Sequence, residues 1–271
     1  MGRTYDTISF LSDYGLDDEF VGVVKSVIRG LAPAATVIDI THGVAPYDVR
    51  AGALALVRSV EYLAAGVVLA VVDPGVGTDR RAVAVEVGEA GESVLVGPDN
   101  GLLAPAVAMV GGALRAAELT NTDFHLPSHG ATFAGRDVFA PAAAHLCRGA
   151  DLAELGELVD PVTLRPAVLP LSSTDAGRVS GEVLWVDRFG NLQLNVGPDE
   201  VVHLGERLTV GFGGDKARTA RRVRAYAELA PGELGLVVDS SGLLSVAFDR
   251  ASAADGLHLG TGDAVTLAEP A

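Results

Sequence analysis

Cysteine is nearly absent from this chain of 271 residues, and the single Cys147 excludes a disulfide framework. It lies in an apolar helical stretch, which predicts a buried structural thiol rather than a nucleophile, and a cytoplasmic location is expected. No run approaches the ~18 apolar residues of a membrane span. No N-terminal segment joins a basic start to an apolar core, so no secretion signal is expected either. Basic residues are scarce, 20 against 35 acidic ones, for a formal net charge of −15. Phosphate binding needs a basic footprint, so nucleic acid is not an expected partner. A cationic ligand suits the balance better. Neither GxGxxG nor GxxxxGK follows any predicted strand, which argues against dinucleotides and nucleoside triphosphates.

What is present is apolar sequence in short, well-punctuated runs, 49% of the chain, ample for real cores. Val67 to Val72 is an unbroken run of small and β-branched residues, the pattern of a strand buried on both faces of a parallel sheet. It breaks into Asp73-Pro74-Gly75-Val76-Gly77, followed by Arg80 and Arg81. In open α/β sheets ligands bind outside the strand carboxyl ends, which makes Asp73 a candidate for chemistry; a turn aspartate before proline is the alternative. Strands over 7–11 and 36–40 and helices from 20 and 49 precede this run, with Asp48 as an expected N-cap. Strands over 82–87, 93–96 and 115–119 follow it. This order predicts an α/β N-terminal domain with a mainly parallel sheet.

The turn after the first strand holds Asp13, Asp17, Asp18 and Glu19. A helix N-terminus accounts for the last three, whereas Asp13 sits at the strand tip, where a carboxylate can accept from a ribose diol. His125 and His129 are four apart, but no Glu follows the first as in HExxH, so a polar loop is favoured over a metal site. Prolines 161, 166 and 170 mark irregular chain. The expected division is a domain over 1–165, a linker over 166–177 and a second domain over 178–271. Beyond the linker the period changes to two, with a hairpin around Asp187-Arg188-Phe189-Gly190. An all-β, barrel-like C-terminal domain is predicted.

A series of motifs runs the length of the chain in one order: Ser12-Asp13-Tyr14-Gly15, Tyr47-Asp48, Asp73-Pro74-Gly75-Val76-Gly77, Gly97-Pro98-Asp99-Asn100-Gly101, Thr132-Phe133-Ala134-Gly135-Arg136-Asp137, Asp187-Arg188-Phe189-Gly190-Asn191 and Ser240-Ser241-Gly242. In this the sequence resembles the S-adenosylmethionine (SAM) hydroxide adenosyltransferases, the adenosine-forming SAM hydrolases, relatives of the fluorinase and chlorinase. The resemblance implies an N-terminal α/β domain and a C-terminal β-barrel, a homotrimer with sites shared between subunits, SAM as substrate, and no cofactor or metal. It implies attack of water or hydroxide on the ribose 5′ carbon with methionine leaving. Asp73 would accept from the water and Arg80 would favour hydroxide character by its charge. The family's third catalytic residue, a His, is replaced here by Ala134. The absent imidazole implies weakened catalysis, unless His125 or His129 swings in.

The same resemblance places Asp13 on the ribose diol, Tyr47 against the sugar or methionine chain, and Asp18 near the methionine ammonium. From the C-terminal domain, Asp187 and Ser240 would hold the amino-acid end, Phe189 would stack on adenine, Asn191 would bond its edge and Ala253 would line the adenine pocket. From the residues alone, Phe189 reads as a core aromatic and Asn191 as a turn residue. Ser241 stands where the fluorinase has arginine. An aspartate at 73, where the halogenating relatives carry an aromatic residue in a halide pocket, would repel a halide and favours hydrolysis over halogenase-like transfer. Two other classes remain: a metal-dependent hydrolase using Asp13, Asp73, Asp99 and His42, and a non-catalytic SAM or adenosine sensor.

Overall fold

A computed structural model describes residues 2–270. The chain divides into two compact units between Val168 and Leu169. The first opens with β1 (Thr7–Ser12), α1 (Phe20–Leu31), β2 (Thr36–Thr41), α2 (Val49–Val60), β3 (Val67–Val71), β4 (Ala82–Val87), β5 (Ser93–Pro98), α3 (Ala104–Met109) and β6 (Ala113–Glu118). A π-helical turn (Gly135–Phe139) then runs into α4 (Ala140–Cys147), followed by α5 (Leu152–Leu155) and β7 (Glu157–Val159).

Seven strands form one sheet in the order β2-β1-β3-β5-β4-β6-β7. The first four are mutually parallel. β4 runs against both β5 and β6, so β6 points the same way as the parallel set, and only β4 and β7 run opposite. The sheet is therefore mainly parallel in strand direction, as the alternation of runs predicts.

Every residue of β3 is buried, and alternation divides them between two cores. Val67, Leu69 and Val71 face a cluster with Val21, Val24 and Ile28 of α1 and the small residues of α4. Val68 and Ala70 face a cluster with Ala53 and Leu56 of α2 and Ala106 of α3. Helices on both faces leave the carboxyl ends of the central strands as the open edge. The predicted α2 helix is capped as expected, Asp48 accepting from Ala51 N, and ends at Val60.

The second unit contains β8 (Ser173–Asp175), β9 (Arg178–Val186), β10 (Leu192–Leu194), β11 (Arg207–Phe212), β12 (Lys216–Val223), β13 (Leu234–Val238), β14 (Leu244–Ala247), α6 (Ala253–Leu257) and β15 (Ala264–Ala268). The order β10-β14-β13-β12-β11-β15-β9 closes by β10 pairing with β9, giving a seven-stranded barrel, with β8 outside β9. Closure removes the edges that open strands would expose. β8 consists of three exposed polar residues and shows no apolar alternation, so periodicity could not reveal it. β12 ends at Val223 and is followed by a single 3-10 turn, Tyr226–Glu228. Among the described residues no helix is long and apolar enough to cross a membrane.

Candidate active site

The tips of β1 and β3 and the loop before the π-helical turn bound a cavity of about 420 Å³. Asp13, Asp18, Tyr47, Asp73 and Ala134 line it together with Phe133. Five of the residues singled out from sequence, from four separate stretches of the first unit, thus come to one place. None of the lining residues is Lys or Arg, so the cavity is acidic and favours a cationic ligand.

Asp73 sits where β3 runs out, its side chain 6% exposed. Arg80 loops back over seven residues and grips it in a fork: Nε donates to Oδ1 at 2.8 Å and to Oδ2 at 3.0 Å, and Nη2 donates to Oδ2 at 2.5 Å. The guanidinium lies over the Phe139 ring, 5.1 Å from its centre. The loop between them must be tight. Gly77 adopts φ +78° with the Ala131 carbonyl close by, a conformation that favours glycine. Arg81 is engaged elsewhere, holding Asp99 at 2.6 Å and the Thr163 carbonyl.

Asp13 Oδ2 accepts from Tyr47 N at 2.9 Å. Tyr47 is held at φ +69°, in the left-handed region that a bulky residue enters only when its surroundings dictate it, and its ring is 74% exposed. Strain at a residue lining a cavity marks a site shaped for a ligand. Tyr14, Phe20 and Phe133 form a mutual aromatic cluster, with ring centres 5.1 to 5.7 Å apart, and all three line the cavity. Burial, then the charges of Asp13 and Asp73, push the Tyr14 phenol up, so it stays a neutral donor. A Cβ at Gly135 would collide with the Tyr14 hydroxyl. The clustering of the three rings joins loops distant in sequence, which no local pattern marks.

Ala134 adopts φ −58° and ψ −27° at the start of the π-helical turn, presenting a methyl to the cavity. Neither His125 nor His129 lines it. Of the groups of the metal alternative, Asp13 and Asp73 line the cavity and Asp99 and His42 do not. Asp73 belongs to Arg80, Asp99 to Arg81, Asp13 to Tyr47 N, and His42 to Ser12; among the described residues no three His, Cys, Asp or Glu are grouped to hold a metal.

In the second unit, Asp187, Asn191 and Ser240 line a cavity of about 480 Å³ together with Trp185 and Gln193. Phe189 and Asn191 line an adjoining one of about 540 Å³, and Tyr226 lines both. The Asp187 carboxylate organises the hairpin, accepting from Phe189 N, Asn191 N and Asn191 Nδ2 at 2.8 to 2.9 Å. That leaves Asn191 Oδ1 as the acceptor available to a ligand. Phe189 is 78% exposed, which is not the core aromatic that the residues alone suggested. Ala253 is fully buried in the barrel core and lines neither cavity. Burial, with the charges of Asp187 and Asp239, raises the Tyr226 phenol.

An α/β unit with a carboxylate–guanidinium pair at a strand tip, followed by a small barrel with an open aromatic, defines a two-domain class with ligand cavities in both parts. The model of the SAM hydroxide adenosyltransferase N-terminal domain matches residues 8–156 and that of its C-terminal domain residues 181–266, and the chain belongs to this family. The (R)-S-adenosyl-L-methionine hydrolase of Salinispora tropica is 48% identical over 256 residues, covering 94% of this chain and 95% of that protein. A fluorinase of an Actinoplanes species is a more distant relative, 28% identical with 96% of each chain covered. The crystal structure of an uncharacterized conserved protein from Thermotoga maritima superposes with a TM-score of 0.88 at 34% identity, covering 97% of this chain and 100% of that one.

Proposed function

We propose that this protein hydrolyses SAM to adenosine and L-methionine. The observation that carries the reading is Asp73 on the wall of an acidic cavity, its carboxylate held by Arg80. The sulfonium of SAM is already a good leaving group, so no acid, metal or cofactor is assigned, and positioning of the attacking water dominates. The water oxygen bonds to the 5′ carbon as the carbon–sulfur bond breaks and its electron pair returns to sulfur as methionine thioether. The water proton passes toward Asp73 and on to solvent. Arg80 takes both lone pairs of Oδ2 and one of Oδ1, which leaves Oδ1 a lone pair for the water. Asp13 takes the ribose diol, Asp18 the ammonium, and Tyr47 the sugar or methionine chain. Tyr14, Phe20 and Phe133 offer ring faces to the sulfonium.

From the second unit, Phe189 stacks on adenine and Asn191 accepts from its amino group, while Asp187 and Ser240 stand at the amino-acid end. The assembly we propose is a homotrimer in which one subunit's first unit and its neighbour's second unit complete each site. The exposure of Tyr47 and Phe189 in the single chain supports it, together with the family membership. The one cysteine, buried and unpaired, agrees with a reducing cytoplasm.

The test is incubation of the purified chain with SAM in H₂¹⁸O, with products followed by mass spectrometry. Adenosine carrying one ¹⁸O, unlabelled methionine, and a rate indifferent to a chelator support the reading. Oxygen label absent from adenosine, or turnover lost with the chelator, overturns it. The methyl of Ala134 on the cavity wall favours one second reading, a SAM-binding protein without turnover, and that outcome is SAM binding with no adenosine.

A further inference from the structure

The β1 tip that carries Asp13 and Tyr14 is gripped from behind by a residue the reaction does not touch. His42, 5% exposed, lies just beyond β2. Its Nδ1 is 2.8 Å from Ser12 Oγ and its carbonyl accepts from Gly15 N at 2.8 Å, so one residue holds both ends of the turn Ser12–Gly15. The ring packs edge to face on Phe10, centres 4.6 Å apart. On its far side Nε2 is 3.1 Å from Asp39 Oδ1 in a bent contact. Asp39 Oδ2 accepts from Lys25 Nζ of α1 at 2.6 Å.

A carboxylate only accepts, so Nε2 carries the proton and Nδ1 accepts from the Ser12 hydroxyl. Ser12 Oγ in turn accepts from Tyr14 N at 3.3 Å. The donors thus all point one way, from Tyr14 N–H through Ser12 and His42 to Asp39. Ser, His and Asp in this series invite comparison with a nucleophilic triad, but Ser12 is fully buried and no substrate carbon can reach it.

We propose that His42 is a positioning residue for the ribose of the substrate: through Ser12 it fixes the turn that presents the Asp13 carboxylate. This rests on the reading of the cavity as the SAM site with Asp13 on the diol. A grip on the diol is the same in ground state and transition state, so its loss raises KM and leaves kcat nearly alone.

The experiment compares three variants of the full chain. His42→Ala removes the ring, His42→Asn returns an acceptor near the Nδ1 position, and His42→Gln returns an amide near Nε2. Expected is a rise of about 10-fold in KM for SAM in His42→Ala with kcat within about 3-fold, recovered by Asn and not by Gln. With a SAM analogue lacking both ribose hydroxyls, His42→Ala and the parent should share one KM. An unchanged KM for SAM, or an equal penalty on the analogue, overturns the proposal. If His42→Ala does not fold, Ser12→Ala, which removes one oxygen, is put through the same comparison with the same two outcomes. Failure of the parent to hydrolyse SAM overturns the catalytic reading instead, and the variants are then compared by calorimetry of adenosine binding, where the same 10-fold loss or its absence decides.

Discussion

Asp73→Asn separates the charge of the site from its shape. The carboxylate and the Arg80 guanidinium are 6% and 11% exposed, joined by three short donor contacts. Asn keeps the volume but offers one accepting oxygen, and its amino group faces a guanidinium that has nothing to accept with. Arg80 is left buried without its counter-charge. Breaking a buried pair from one side costs 3–5 kcal/mol as a rule, and one retained bond puts this case near the low end, about 3 kcal/mol. At ~2–4 °C per kcal/mol for a chain of this size, the melting temperature falls by about 6–12 °C.

The rate falls for a different reason. The water loses the charged acceptor that orients it and draws off its proton, a role that contributes ~10²–10⁴-fold. Adenosine formation by chromatography at a temperature where both proteins are folded measures kcat, calorimetry measures SAM binding, and scanning fluorimetry measures stability. The expected pattern is a kcat down by at least ~10²-fold with SAM affinity within about 3-fold. A kcat within a few-fold of the parent would show that the attacking water is held elsewhere, and the proposed role of Asp73 would fall.

Ala134→His should raise kcat with little change in KM, because φ −58° suits any residue and the added ring faces the cavity; a gain below the ~10²-fold of a fully placed group is expected where water already fills the space. Steady-state kinetics with an unchanged or lower kcat in a folded variant would mean the water site is built without position 134. Tyr47→Gly relieves the left-handed backbone, worth on the order of 1 kcal/mol, so the melting temperature should hold or rise while KM for SAM rises; a drop in stability would refute strain at that residue. The Arg221 guanidinium, with Ala230 N, pushes Glu233 from an ordinary 4.5 to about 2. A depressed carboxylate contributes stability fully present above 4.5 and lost as pH falls toward 2. Glu233→Gln should therefore melt below the parent at neutral pH and converge with it in acid, and parallel melting curves across the range would refute the pairing.

The buried strand that ends at Asp73, the Asp48 cap and the change to period two beyond residue 177 are written into local patterns of apolar residues and breakers, and each is legible without coordinates. Asp13 and Asp73 stand out in the sequence because strand tips in a parallel sheet are where functional groups collect, whereas Tyr47 is marked only by the family resemblance. The hairpin of β9 with β10 is legible from its glycine turn, but the pairings of β10 with β14 and of β9 with β15 that complete the barrel are not. Both depend on hydrogen bonds between segments whose own sequences carry no mark of their partner.

The same holds for the aromatic cluster of Tyr14, Phe20 and Phe133, for the Phe189 ring standing open rather than in the core, and for His42, which composition offers as a metal ligand and the fold ties to Ser12 and Asp39 instead. Local sequence determines what each segment becomes, because propensity and periodicity act over a few residues. Which side chains meet is decided by packing, because contacts 30 residues apart, such as Ser12 with His42, exist only once two strand tips lie side by side.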